Sequence, residues 1–454
     1  MNVSQQTNNH SHQKKGKRMK HLFPFVSVIL LFIALGSEKS YSIPAFARKY
    51  KTSCQTCHNG FPKLNAFGEA FRRSGYQFPG GTDPEYIKEE PVSLGSDGYK
   101  KAFPDAIWPG NLPGSSPISV FLNGEIAYNP KGGPRFAFDG LGNSIETVVG
   151  GTLGEDLSFW GQAGFSNDGV ELNRIFLIYS NLIGDKFAFN ARLGAFEPGL
   201  FSFSIHRAWM EGYWLTTKKF SEEMGWTIEE FQKGIELNGI VQGRFGYNAG
   251  IVEGFGGPHS DKDYYAHVTY KLEGLPLDGI TDGVTDGTTG GGTALSNTQP
   301  YIDNSLTIGA FVYGGNANMV TDTMSQSDKF TMVGGDVNAY YDRFNLFGGV
   351  GIRHDRQPFL GSSGTPANTT VWFAELDVVA YPWLLPGVRF ESWKSEMLSV
   401  SADKSSYTDY QIVPGIVALL RPNVKMTLST TVTKPHDADK FDVGQVTLGL
   451  AVGI

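Results

Sequence analysis

Cysteine is nearly absent: two in 454 residues, too few for the disulfide framework of a stapled extracellular scaffold. Long apolar runs are missing as well. Beyond residue 42 no stretch reaches the length a membrane-spanning helix needs, so any crossing by the remainder of the chain has to be made by a closed sheet. Nor is positive charge in excess, since 38 Lys and Arg stand against 45 Asp and Glu for a formal net charge of -7. That balance argues against a nucleic-acid partner. Glycine, by contrast, is abundant at 57 residues, and 13% of the chain is aromatic; turns and the interfacial ends of membrane strands draw on those two supplies.

The two cysteines sit directly before a histidine, in Cys54-Gln55-Thr56-Cys57-His58. C-x-x-C-H is the spacing at which two thioether bonds fasten a haem to the backbone while the adjacent imidazole supplies one axial ligand to its iron. The spacing predicts one covalently bound haem c, held by Cys54 and Cys57, with His58 as the proximal ligand. Two other readings of the pair are weaker. A thioredoxin-like couple needs a βαβ surrounding, and none is visible near residue 54. A structural zinc needs two further Cys or His close by, yet the next histidine along the chain is His206.

Residues 1–18 are polar. Met19, a second candidate start, opens a short basic stretch, Lys20-His21, followed by the apolar run Leu22 to Leu35 and small residues around Ser40 to Ser42. This is the layout of a signal peptide over residues 1–42, with the mature chain beginning near Ile43; an uncleaved anchor is the alternative. Export agrees with the haem motif, because a C-x-x-C pair left unattached outside the cytoplasm tends to oxidise. Removing the signal takes away six Lys/Arg and one Glu, a net five positive charges, and carries -7 to -12. Cations are then favoured near the mature surface.

Residues 43–79 read as a small, mainly helical domain around the haem motif. Pro62 suits a first helical turn and Gly75 the position after a helix end, while Leu64, Phe67 and Phe71 recur at three and four residues along one face. So short a domain has little core of its own, and that face is predicted to lie against the haem. From Gly80 to Pro117 prolines recur without sustained periodicity, as in an ordered linker packed on something larger.

Beyond residue 117 the pattern changes to period two and keeps it to the last residue. Ile118 to Tyr128, Lys186 to Phe196, Tyr264 to Leu272, Leu306 to Tyr313, Val424 to Val432 and Gln445 to Ile454 each alternate apolar with small or polar positions. Very short turns, at Gly154-Glu155-Asp156, Gly184-Asp185, Gly243-Arg244, Tyr341-Asp342-Arg343 and Arg421-Pro422-Asn423, alternate with longer polar loops. The predicted fold is all-β: an outer-membrane barrel of about 16 antiparallel strands over residues 118–454, behind the helical cytochrome domain. Tyr381, Trp383, Trp393 and Tyr407 fall near strand ends, where a membrane barrel places aromatics. A soluble propeller also has many short strands, and Ile454 departs from the aromatic residue usual at a barrel's C-terminus. Parity puts the loop Glu197 to Phe231 outside the cell and the Gly/Thr/Asp stretch Gly274 to Ile302 on the periplasmic side, where its length requires either a role or an overlooked strand pair.

At Pro44-Ala45-Phe46-Ala47-Arg48, the Cys54 to His58 motif, Phe67-Gly68-Glu69-Ala70-Phe71 and Gly75-Tyr76, the chain resembles the fused monohaem cytochrome-porins of iron-oxidising bacteria. The resemblance is specific over those N-terminal residues and extends to the barrel in length and pattern. It implies an outer-membrane c-type cytochrome-porin that oxidises extracellular Fe(II) and passes electrons through a single haem, in the pore or facing the periplasm, to periplasmic cytochromes. A passive porin with a haem-bearing plug or sensor domain, and a conduit for another extracellular donor or acceptor, are the alternatives. The second axial ligand is sought in Phe201 to Trp214, a piece of the long external loop able to fold into the pore, where His206 and Met210 lie four apart. His259, His267, His354 and His436 complete the set. Glu125, Asp336, Glu375 and Asp377 fall opposite the apolar face of their strands and are candidate oxygen ligands for Fe(II), although a porin interior is polar in any case.

Overall fold

A computed structural model describes residues 45–78 and 116–454, interrupted at 132–134, 139–141, 143, 155, 167–168, 221–225, 229–230, 255–260, 281–301, 321–324, 360–363, 399–403 and 422. Between 79 and 115 it describes only 92–93, 101–105 and 111–112, where Val92–Ser93 pairs with Asn111–Leu112. The segment 1–42 expected as a signal peptide and most of the expected linker 80–117 therefore lie outside the described residues.

The alternating segments form strands, because one face of each is apolar and the other small or polar. They are β1 (Ile118–Tyr128), β2 (Ser144–Thr152), β3 (Leu157–Ser166), β4 (Gly169–Tyr179), β5 (Asn190–Phe196), β6 (Gln232–Val241), β7 (Phe245–Val252) and β8 (Asp263–Glu273). They continue as β9 (Ser305–Val320), β10 (Ser325–Tyr341), β11 (Phe344–Asp355), β12 (Ala367–Val378), β13 (Leu384–Leu398), β14 (Lys404–Arg421), β15 (Val424–Lys434) and β16 (Asp442–Gly453). Each pairs antiparallel with the next, and β16 pairs with β1 to close the cylinder, with Leu450 opposite Gly124. A two-residue strand, Phe136–Ala137, adds to the far end of β1. The barrel of about sixteen strands expected from the alternation is thus what the chain forms, and closure leaves no exposed edge. Because β8 pairs directly with β9, no strand pair is missing there; residues 274–280 fold back at the short-turn end, where the Leu277 amide donates to the Gly243 carbonyl at 2.7 Å.

Parity of side chains gives the barrel its two faces. Outward residues are apolar and bare on the isolated chain, as with Leu193 (55% exposed), Ile235 (54%) and Ile352 (48%), the surface of a barrel meant to lie in hydrocarbon. At the short-turn end Tyr341, Tyr381 and Trp383 also face out. Trp393 does not: it points inward, is buried, and packs on Phe220 with ring centroids 4.9 Å apart. Tyr407 is half-buried and packs on His436 at 4.5 Å. Both were expected as interfacial aromatics; their strands run on beyond them, so parity and not position along the strand decides which face they take.

The inner face is lined with charge held in pairs: Arg192 with Glu236 (2.7 Å), Arg389 with Glu375 (3.2 Å) and with Glu391 (2.6 Å). Among the described residues two pieces of chain fill the lumen. Residues 45–78 enter from the short-turn end. The connection 197–231, between β5 and β6, folds inward from the other.

Candidate functional site

Residues 45–78 comprise helix α1 (Ala45–Tyr50), a 3-10 turn at Cys54–Thr56 and helix α2 (Ala66–Arg73). Asn65, not Pro62, starts α2. Its side chain accepts from the Gly68 amide at 2.9 Å, and its amide group donates to the carbonyls of Gln55 (3.2 Å) and Thr56 (3.1 Å). One cap thereby ties the helix to the cysteine turn. Pro62, expected in the first helical turn, lies in the loop before it, because the Asn65 cap supplies a stronger start. Gly68 lets the two backbones touch: a Cβ there would lie 2.1 Å from the Cys57 carbonyl oxygen. Gly75 ends the helix as expected, with φ +69° and the Tyr76 amide donating to the Phe71 carbonyl at 2.9 Å, a Schellman closure.

The segment is fastened to the wall at many points. The Ala45 amide donates to Ser119 Oγ (2.7 Å) and Lys49 Nζ to Thr152 Oγ1 (2.9 Å). Phe61 stacks on Phe121 at 4.6 Å, and Lys63 pairs with Asp377 while lying 3.6 Å from the Phe347 ring centre. Phe46, Tyr76 and Trp160 form a stacked trio, Tyr76 to Trp160 at 4.8 Å.

Between segment and wall lies a cavity of about 370 Å³, within the size range of cofactor sites. Cys54, Cys57 and His58 open onto it, and so does the predicted helix face of Leu64, Phe67 and Phe71. His58 Nδ1 lies 3.2 Å from the carbonyls of both Pro62 and Lys63. A carbonyl only accepts, so Nδ1 carries the proton and Nε2 keeps its lone pair, the arrangement that orients an imidazole ligand. Burial, with a smaller push from Arg207, lowers the His58 pKa to about 4, so the ring is neutral at ordinary pH. Burial, and then Cys54, raises Cys57 to about 12, keeping it a thiol until it reacts.

The 197–231 connection brings a second imidazole to this cavity. His206 and Arg207 line it, whereas Met210 lines a neighbouring space of about 520 Å³ with Glu125, Glu211 and Lys425, and abuts Gly415. The connection is anchored deep in the bore. Ser202 donates from its amide to Asp336 (3.1 Å), Trp209 Nε1 to Asp377 (3.1 Å), the Trp214 amide to Glu391 (2.6 Å), and Lys218 pairs with Asp409. Glu197 accepts from Ser204 Oγ at 2.7 Å and forms an ion pair with Arg174 at 3.5 Å. Burial alone would raise Glu197, but Arg174 first, then His206, Arg72 and Arg207, hold it at about 2.

The other candidates lie apart. His267 is buried against Asp336 (3.1 Å), His354 faces Asn368 (2.9 Å), His436 faces Asp409 (3.0 Å), and His259 is outside the described residues. Asp336, Glu375 and Asp377 are engaged in the pairs above, and among the described residues no three His, Cys, Asp or Glu gather as a metal site. Asp336 and Asp377 hold the inner loop, and Glu375 and Asp377 pair with lumen cations. The sequence reading missed the cavity's Trp160, Arg174, Arg207 and Lys425, among others. A cation in a polar loop and another on an alternating strand carry no local signal.

No family model matches the chain, and no curated protein matches it. Among solved structures it is similar to the in-vitro folded outer membrane protein OmpT of Vibrio cholerae in its trimer form (9% identity, 75% of this chain and 99% of that one, TM-score 0.49). It is also similar to the anion-selective porin from Comamonas acidovorans (12%, 75% and 98%, 0.47) and to the outer membrane channel DcaP of Acinetobacter baumannii (10%, 74% and 96%, 0.46). These likenesses are of fold and transfer no residue role.

Proposed function

We propose that this chain is an outer-membrane barrel bearing one covalent haem c inside its bore, and that it acts as a one-electron oxidoreductase between extracellular Fe(II) and a periplasmic c-type cytochrome or similar acceptor. The observation that carries this reading is the convergence of two thiols, two imidazoles and an aromatic wall on one cavity within the lumen. The residues fit the group. Cys54 and Cys57 would hold it by thioethers, His58 would ligate through Nε2, and His206 is favoured over Met210 as second ligand because it shares the cavity.

A haem supplies there a one-electron iron centre whose potential follows its axial ligands and its burial. The chain's residues do the rest. The Pro62 and Lys63 carbonyls keep the His58 proton on Nδ1, and Phe46, Phe67, Phe71 and Trp160 keep water out. The N-terminal segment and the inner loop together occupy the bore. The apolar band of about 25 Å is then crossed at a fixed centre in place of a wide aqueous pore. Ferric iron is poorly soluble near neutral pH, so oxidising Fe(II) at the surface and passing only the electron inward keeps the product outside.

The rival is a passive porin, favoured by the polar space of about 520 Å³ beside the cavity. The purified protein in detergent separates the two: prompt reduction of a Soret-absorbing haem on adding Fe(II) supports the oxidase, whereas solute flux with an inert haem supports the porin. His58→Ala should abolish reduction and leave the barrel folded.

A further inference from the structure

Four cations line the cavity: Arg72, Arg174, Arg207 and Lys425. Two are accounted for. Arg72 donates to Glu69 at 2.9 and 2.7 Å, and Arg174 faces Glu197 at 3.5 Å. Arg207 and Lys425 join no ion pair or side-chain hydrogen bond among the described residues. Arg207 has only a loose approach to the Trp160 ring at 6.0 Å, and its Nε is buried without an acceptor. Lys425 likewise lies 6.0 Å from the Phe61 ring. No nearby carboxylate makes an ion pair with either among the described residues: Glu197 faces Arg174 and Ser204 and feels Arg207 only at longer range, Glu146 accepts from Gln162 at 2.8 Å, and Glu125 and Glu211 share the neighbouring space with Lys425 without pairing with it.

Removing a cation from bulk water without a counter-charge is costly, and chains avoid it unless an anion comes to the site. Two such cations, one from the inner loop and one from β15, meet on a cavity whose other walls are aromatic. The ligand that satisfies both features is flat and apolar in its body and carries carboxylates on its edge. An arginine fork matches a carboxylate with two parallel donors, and a lysine adds a point charge.

We infer that Arg207 and Lys425 receive the carboxylates of the porphyrin proposed above, neutralising them and so helping to set the potential of the centre. The inference rests on that reading and can fail separately from it. With the counter-charge in place the carboxylates stay ionised. With it removed, they are buried and uncompensated, and take up a proton as the pH falls.

The test is spectroelectrochemistry of the full-length, haem-loaded protein from about pH 5 to pH 8, comparing the unmutated chain with Arg207→Gln, Lys425→Gln and the charge-conserving Arg207→Lys. The unmutated protein and Arg207→Lys should hold a midpoint potential nearly independent of pH. Each neutral variant should have a lower potential at the alkaline end that climbs as the solution is acidified. A folded barrel that loses its Soret band in the neutral variants but keeps it in Arg207→Lys supports the inference equally. Neutral variants with full Soret absorption and an unchanged potential at every pH would overturn it, as would loss of haem in Arg207→Lys as well. Neither of those results bears on the haem of the unmutated protein, whereas an unmutated protein without a Soret band removes the underlying reading.

Discussion

Gly68 is the residue on which the cavity's floor depends most narrowly. Its missing side chain lets helix α2 lie against the Cys57 carbonyl, where a Cβ would sit at 2.1 Å. Backbone cannot yield as a flexible side chain does, so Gly68→Ala must push the helix off the cysteine turn. A cost of about 2 kcal/mol or more is expected for such overpacking, and the ratio of Soret to protein absorbance should fall well below that of the unmutated chain. Gly75→Ala, strained at a φ of +69° and with its new Cβ 2.7 Å from Ser180 Oγ, should act in the same direction. At this scale the site was partly legible in the sequence. Cys54, Cys57 and His58 announce themselves by spacing, and Leu64, Phe67 and Phe71 by helical period, because both signals are local. Arg207 and Lys425 do not, since only the folded loop and the closed barrel bring them together.

Among the elements, the 197–231 connection fills the bore from the end opposite the N-terminal segment. Asp377 joins three parts: it accepts from Trp209 of the connection, pairs with Lys63 of the N-terminal segment, and stands on β12. Asp377→Ala leaves Lys63 buried without its counter-charge. It should loosen both insertions by about 3 kcal/mol, read as faster amide exchange over residues 61–64 and 201–214. Glu197 gives the connection a pH dependence of known sign. With its pKa held at about 2 against an ordinary 4.5, the stability it adds is full above pH 4.5 and is lost as the pH falls toward 2. Exchange in the connection should therefore stay slow at neutral and mildly acidic pH and accelerate across that window, and Glu197→Gln should flatten the response. Entry of the loop into the pore was readable from its length. Its depth was not, because the anchoring carboxylates lie on strands β10, β12, β13 and β14, far off in sequence.

For the whole molecule, period-two alternation together with short turns sufficed to foresee the barrel, since closure follows from hiding every strand edge. The departures were Trp393, which parity turns inward, Tyr407, which packs on His436, and Pro62, which a better cap displaces. A lumen filled from both ends predicts low conductance in a planar bilayer. Deleting residues 201–214 should raise it several-fold while the barrel keeps its heat-dependent gel mobility; unchanged conductance would mean that the connection does not obstruct the bore.

The most direct test of the central claim is the absorption spectrum of the full-length protein, purified in detergent, before and after anaerobic addition of Fe(II). The expected result is a Soret band from one covalent haem per chain that shifts promptly to its reduced position. A folded barrel with no Soret absorption, or with a haem that Fe(II) leaves oxidised, would contradict it.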